Sequence, residues 1–151
     1  MSTTLAFTLV TPEELDRAIK EPEWALERVQ DGDALSCFLE KSWAGIQFLL
    51  DAAEVDVELH EDGFIIDDEA ILSGWSDSMV ADAAKALSAV PFEVLAGHYD
   101  PRKLSEAEVY PFRHLWDGDD IEYLRENYVD LVEFFQETAA SGGALIREIS
   151  F

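Results

Sequence analysis

Three histidines, one cysteine and a large excess of carboxylates are the residue types here that could do chemistry, and their spacing argues against most of it. His60, His98 and His114 are the only histidines, and no two stand three or four residues apart, the spacing that puts two imidazoles on one helix face as zinc ligands. The only cysteine, Cys37, sits in Leu35-Ser36-Cys37-Phe38-Leu39, a setting that predicts a small apolar core residue and does nothing to lower the thiol pKa. No intrachain disulfide is available to it. Residues 58 to 69 place Asp62, Gly63, Ile65 and Glu69 at offsets five, six, eight and twelve of a calcium loop. Glu58 and His60, however, stand at offsets one and three, where a short Asp and another oxygen ligand must open the turn, so the segment is not read as an EF-hand. Ser141-Gly142-Gly143 follows a helical pattern instead of preceding one, the reverse of what phosphate binding at a helix N-terminus needs. Carboxylate pairs are too abundant to single out an acid and a base. No metal and no cofactor is expected, and the pattern singles out no catalytic residue.

The charge is more informative. Ten Lys plus Arg against 33 Asp plus Glu give a net charge of −23, which repels phosphate backbones and anionic lipid surfaces. Nucleic-acid and membrane partners are therefore not expected. Between Lys41 and Lys85 there is no Lys or Arg and there are eleven acids. Asp56, Glu58, Glu61, Asp62, Asp67, Asp68 and Glu69 in that interval are the candidates for an acidic interaction face, with the stretch from Asp117 to Glu133 as a second one. Charge without a catalytic pattern predicts a non-enzymatic interaction protein whose acidic surface meets a basic protein partner, because complementary potentials steer association and reject wrong partners. The competing reading is a domain adapted to saline surroundings, which predicts acids spread evenly. With no signal-peptide pattern at Met1-Ser2-Thr3-Thr4-Leu5, no apolar run long enough for a membrane span and a single cysteine, the expected location is the cytoplasm.

A chain of 151 residues with 48% apolar content, four Trp and nine Phe is expected to be one globular domain over residues 1–151. Leu5, Phe7 and Leu9 alternate as a strand, and Thr11-Pro12-Glu13-Glu14 then reads as a helix start, with the helix running from Pro12 to Lys20. Pro22 interrupts it, and a short second helix carries Trp24 to Val29. Leu39, Trp43, Ile46 and Leu50 recur at helical spacing and predict one buried helix from Phe38 to Ala53. Val55, Val57 and Leu59 alternate with acids, so a hairpin or two short segments are expected up to Ile66. Ser76 or Ser78 caps a helix ending before Pro91, His98-Tyr99-Asp100-Pro101 reads as a turn, and Leu104 to Val109 as one helical turn. Ile121, Leu124, Tyr128, Leu131 and Phe135 mark the clearest helix, stopped at Ser141-Gly142-Gly143. Leu145, Arg147 and Ile149 form a last strand, expected to pair with the first. The resulting expectation is an α+β fold: a small sheet that includes the N- and C-terminal strands, packed on one side by several helices.

The run Phe38-Leu39-Glu40-Lys41-Ser42-Trp43-Ala44-Gly45-Ile46-Gln47-Phe48-Leu49-Leu50 resembles the helix signature of the YfbM-like family of bacterial proteins of unknown function. Gly74, Tyr110-Pro111, Trp116, Phe134-Phe135 and Ala139-Ala140 follow in the same order, so the resemblance spans nearly the whole chain. It implies a small α+β fold and no assigned activity. In the family the residue after the Trp and the one three further on are often His; here they are Ala44 and Gln47, and no site built on those histidines carries over. Gly45 permits close approach to its helix, and Trp43 offers a flat wall with one N–H donor. The alternative function is therefore a small-molecule binding protein or enzyme whose pocket is walled by Trp43, Tyr110 and Trp116, with Gln47 and His114 as polar groups. Core packing of these aromatics is the opposing reading.

Overall fold

A computed structural model describes residues 3–67, 69, 71–111 and 116–151. The chain enters as strand β1 (Thr4–Val10) and turns at Thr11 into helix α1 (Pro12–Lys20). Thr11 caps α1 reciprocally: its Oγ1 accepts the Glu14 amide at 3.0 Å and its own amide donates to the Glu14 carboxylate at 2.9 Å. That backbone hydrogen bond, with Arg28 beside it, holds the Glu14 carboxyl below its ordinary pKa. Helix α2 (Pro22–Val29) follows, starting at Pro22 instead of Trp24. Next come strand β2 (Ser36–Glu40), helix α3 (Trp43–Ala52), the short strand β3 (Phe64–Ile65) and strand β4 (Leu72–Trp75). Helices α4 (Asp77–Ser88), α5 (Phe92–Ala96), α6 (Pro101–Glu106) and α7 (Asp120–Ala140) lead to strand β5 (Ala144–Ser150).

The five strands form one antiparallel sheet in the order β2-β1-β5-β4-β3. The two terminal strands pair as expected, in register from Thr4 opposite Ser150 to Val10 opposite Ala144. Helices cover both faces, not one. Leu5, Phe7, Leu39, Trp75 and Leu145 point into the larger core, against α3, α4, α5 and α7. Val10, Leu72, Ala144 and Ile146 point the other way, into a smaller core closed by Leu15 and Ala18 of α1 and Ala25 of α2. The alternation within β5, Leu145 to one core and Ala144 and Ile146 to the other, produces this division, and a strand buried on both faces needs a helical layer on each. Gly74 belongs to the second interface: a Cβ there would stand 2.6 Å from the Phe64 ring and 2.9 Å from Leu15.

Two sequence expectations are corrected, and one strand had given no signal. Phe38 to Ala53 is not one helix, because residues 36–40 alternate in burial, with Cys37 and Leu39 inside and Ser36, Phe38 and Glu40 outside. Leu39 satisfies the strand and helix periods at once, so the helical spacing ran one element too far. Glu40 at φ 53° ends the strand, and the Ser42 hydroxyl donates to the Leu39 carbonyl at 2.6 Å before α3 begins. Val55 to Leu59 is not a strand; Val57 and Leu59 are buried from a loop. Strand β4 had no alternating signal to show, since all four of its residues are buried.

At the far end of the larger core, the Tyr128 hydroxyl of α7 donates to the carbonyls of Leu87 at 3.2 Å and Val90 at 2.7 Å, tying α7 to the end of α4. Burial pushes this phenol up to about 12. Gly142 at φ 71° closes α7, with the Gly143 amide returning to the Thr138 carbonyl at 2.9 Å. Tyr128→Phe removes the hydroxyl donor of the Val90 carbonyl, while the Leu87 carbonyl keeps the Val90 amide at 3.1 Å, and we expect a loss of about 1–3 kcal/mol in urea unfolding with the m-value unchanged.

Candidate functional site

The acidic loop after α3 is held in place by two buried-side clamps. Gln47 of α3 uses its whole amide: Nε2 donates to the Val57 carbonyl and to Asp51 Oδ1, each at 2.9 Å, and Oε1 accepts the Leu59 amide at 2.8 Å. From the opposite side, Arg147 of β5 is 4% exposed and donates to the Leu59 carbonyl at 3.0 Å and to the Asp62 carbonyl. Burial lowers the Arg147 pKa to about 10, opposed by the nearby Glu61 and Asp62 carboxylates. Within the loop, Asp62 Oδ2 accepts the Glu58 amide at 2.9 Å. Gly63, at φ 102°, brings the chain so close to β4 that a Cβ would meet the Gly74 carbonyl at 2.8 Å.

These contacts distribute the acidic candidates unequally. Asp56 and Glu61 are exposed, and Glu58 and Asp62 half-buried. The Glu58 carboxyl is pushed up by desolvation and then by the surrounding charges of Asp51, Asp62 and Asp56. Asp67 accepts the amides of Ile71 and Leu72, both at 3.0 Å, and with Glu69 lines a separate cleft shared with Pro22, Glu23 and Leu26. Asp68 lies outside the described residues, as does His114. At the second acidic stretch, Asp117 Oδ1 accepts the amides of Asp119 and Asp120 where α7 begins, while Asp130 and Glu133 are exposed further along the helix.

The aromatic candidates fall into two places. Trp43 stacks on Tyr110, ring centres 5.8 Å apart, and on His60 at 5.2 Å, while its Nε1 donates to the Thr3 carbonyl at 3.1 Å. Tyr110 accepts the Thr3 amide at 2.6 Å. Trp116 lies in the core at 7% exposure, its Nε1 donating to the Val109 carbonyl and its ring resting on Gly45, where a Cβ would meet it at 2.8 Å. The close approach that Gly45 permits is thus made by Trp116 and Leu124. His60 as a stacking partner of Trp43 had no sequence signal, because the two residues meet only once Gln47 folds the loop back over α3.

Cys37 is 7% exposed, and burial, assisted by the Asp130 charge, pushes its thiol up to about 12. A thiol so raised carries no nucleophilic role at neutral pH. Among the described residues no group of three or more His, Cys, Asp and Glu is arranged to hold a metal ion. No described helix is long and apolar enough to cross a membrane.

Residues 1–147 match the family model described as a domain of unknown function, DUF1877. The chain belongs to the DUF1877 family. This DUF1877 chain also shares its fold with the crystal structure of YfbM from Escherichia coli, a protein of unknown function, at a TM-score of 0.75 and 13% identity. That match covers 97% of this chain and 99% of YfbM. A search of curated proteins found no match. The YfbM-like resemblance read from the sequence therefore holds, for family and for α+β fold.

Two outcomes are expected of this site. Gln47→Met leaves the Leu59 amide and Val57 carbonyl unpaired, which lowers stability by about 1–3 kcal/mol and speeds hydrogen exchange at Leu59 more than in the β1–β5 ladder. For Cys37, the folded pKa lies above the unfolded one, so its contribution to stability is present below about 9 and lost as pH rises toward about 12. Urea midpoints of the native chain and Cys37→Ala, compared at about pH 8 and about pH 10.5, should therefore show the larger alkaline loss in the native chain.

Proposed function

We propose that this DUF1877 protein is a non-enzymatic interaction module that presents an acidic surface to a basic protein partner. The observation that carries the reading is the clustering of Asp51, Asp56 and Asp62 around Glu58, whose carboxyl is pushed up first by desolvation and then by those charges, on a segment with no Lys or Arg between Lys41 and Lys85. The cation nearest that loop, Arg147, is buried and directs its guanidinium at backbone carbonyls, leaving the outward carboxylates to set the local field. Elsewhere the described arginines are paired locally: Arg17 with Glu21, Arg28 with Glu14, Arg102 with Glu106 and Arg125 with Glu122. Such a field raises encounter rates with a basic partner and disfavours acidic ones.

The alternative of a small-molecule pocket draws support from the Trp43–Tyr110 stack and ranks second, because Trp116 is buried under Gly45 and the Gln47 amide is already engaged at both ends. Affinity capture at low and high salt, beside an unrelated acidic protein of matched charge, tests the leading reading. A specific basic protein retained at low salt, absent from the control and weakened by Asp56→Lys with Glu61→Lys, is the expected result. Recovery of no basic protein that the control does not also retain overturns it.

A further inference from the structure

The sheet has two edges, and they differ in what they offer. β3 is two residues long, whereas β2 runs for five and has α7 beside it. Between the outer side of β2 and the flank of α7 lies a cleft of about 260 Å³. Ser36, Cys37 and Phe38 form its strand side, and Asp130, Glu133, Phe134 and Glu137 its helix side. The helix residues are spaced three, one and three apart, so they share one face of α7 and line up along the strand. Phe38 is 58% exposed, and Leu35, just before the strand, is 68% exposed. An edge strand of this kind presents unpaired N–H and C=O groups on its outer side, and extended peptides bind by completing that ladder.

We propose that the β2 edge and the α7 flank together form a docking groove in which an extended basic segment of the partner protein adds to the sheet alongside β2. The proposal rests on the reading of this protein as a receptor for a basic partner and specifies where and how that partner binds. Charge decides between occupants. Asp130, Glu133 and Glu137 are carboxylates and the cleft is lined by no Lys or Arg, so a second copy of a chain with net charge −23 is repelled there while Lys and Arg side chains are attracted.

The register adds a sequence requirement. Cys37 and Leu39 point into the larger core, the side on which α7 packs, and Phe38 points to the opposite face of the sheet. Side chains of an added strand alternate in the same way. Those on the α7 side face Asp130, Glu133 and Glu137, and those on the other side lie beside Phe38. The preferred segment therefore alternates basic and apolar residues. The register shift between Leu5 and Ala6 distorts the Glu40 end of the β1–β2 pair, which directs pairing to the Leu35–Phe38 end.

A synthetic ten-residue peptide of alternating Arg and Val is the probe, titrated into the isotope-labelled full chain with amide shifts and calorimetry as readouts. Expected are shifts centred on Leu35–Phe38 and Asp130–Glu137. Backbone N-methylation of alternate peptide residues, or Glu133→Lys with Glu137→Lys in the protein, should weaken binding at least ~10-fold. Phe38→Lys, at an exposed position where an edge lysine discourages pairing, should do the same while leaving the melting temperature near that of the native chain. Binding that shifts only residues 51–69, or that ignores N-methylation, overturns strand addition at β2 and leaves basic-partner recognition standing. A peptide that binds nowhere at low salt overturns both.

Discussion

The pairing of β5 with β1 is the constraint on which the rest of the molecule depends. β5 is the middle strand, and Ala144, Leu145 and Ile146 are each 0% exposed. Leu145 contributes to one core and Ala144 and Ile146 to the other, so the strand joins the α1–α2 layer to the layer of α3, α4, α5 and α7. Burial on both faces gives each apolar side chain its full transfer free energy, about 1.5–3 kcal/mol for a Leu or Ile. It also means that a polar residue on this strand must find partners inside. Arg147 is that residue, and the Leu59 and Asp62 carbonyls are its partners.

The same buried guanidinium explains why an acidic loop can lie against the core. A cation taken out of water costs several kcal/mol unless hydrogen bonds and opposite charge compensate it, and the segment from Leu59 to Asp62 supplies both. Gln47 completes the arrangement from α3, fixing the backbone at Val57 and Leu59. The loop is thereby ordered by backbone contacts on its inner side, while Asp56 and Glu61 are exposed. Exposed ion pairs such as Arg102–Glu106 contribute little to stability by comparison, since both side chains are largely in water.

Much of the candidate site was legible as residue type but not as role. Trp43 and Tyr110 were marked as aromatic walls, and they do stack on each other. Trp116 is not part of that stack: it packs on Gly45 beside Leu124, in the core. By residue type Gln47 suits a ligand, whereas its amide binds backbone ten and twelve residues away in sequence. Arg147 was read only as an alternating strand residue; its partners lie 88 and 85 positions upstream, beyond the reach of any local pattern. The edge position of β2 was hidden in a different way, because Leu39 fits the period of the strand and of the helix after it.

The sequence by itself determined the terminal strands, the capped helices α1 and α4, the long helix α7 with its glycine stop, the α+β class and the acidic charge. Each of these depends on neighbours within a few residues: side-chain alternation, a capping hydroxyl, a glycine free to take positive φ, or a simple sum. Only the tertiary structure decided that helices cover both faces of the sheet, that β2 ends it, that Arg147 lies beneath the acidic loop and that Trp116 is core. Those outcomes depend on strand order and on which face of β5 each helix reaches, and both follow from packing between segments far apart in the chain, where burial of the whole surface outweighs any local preference.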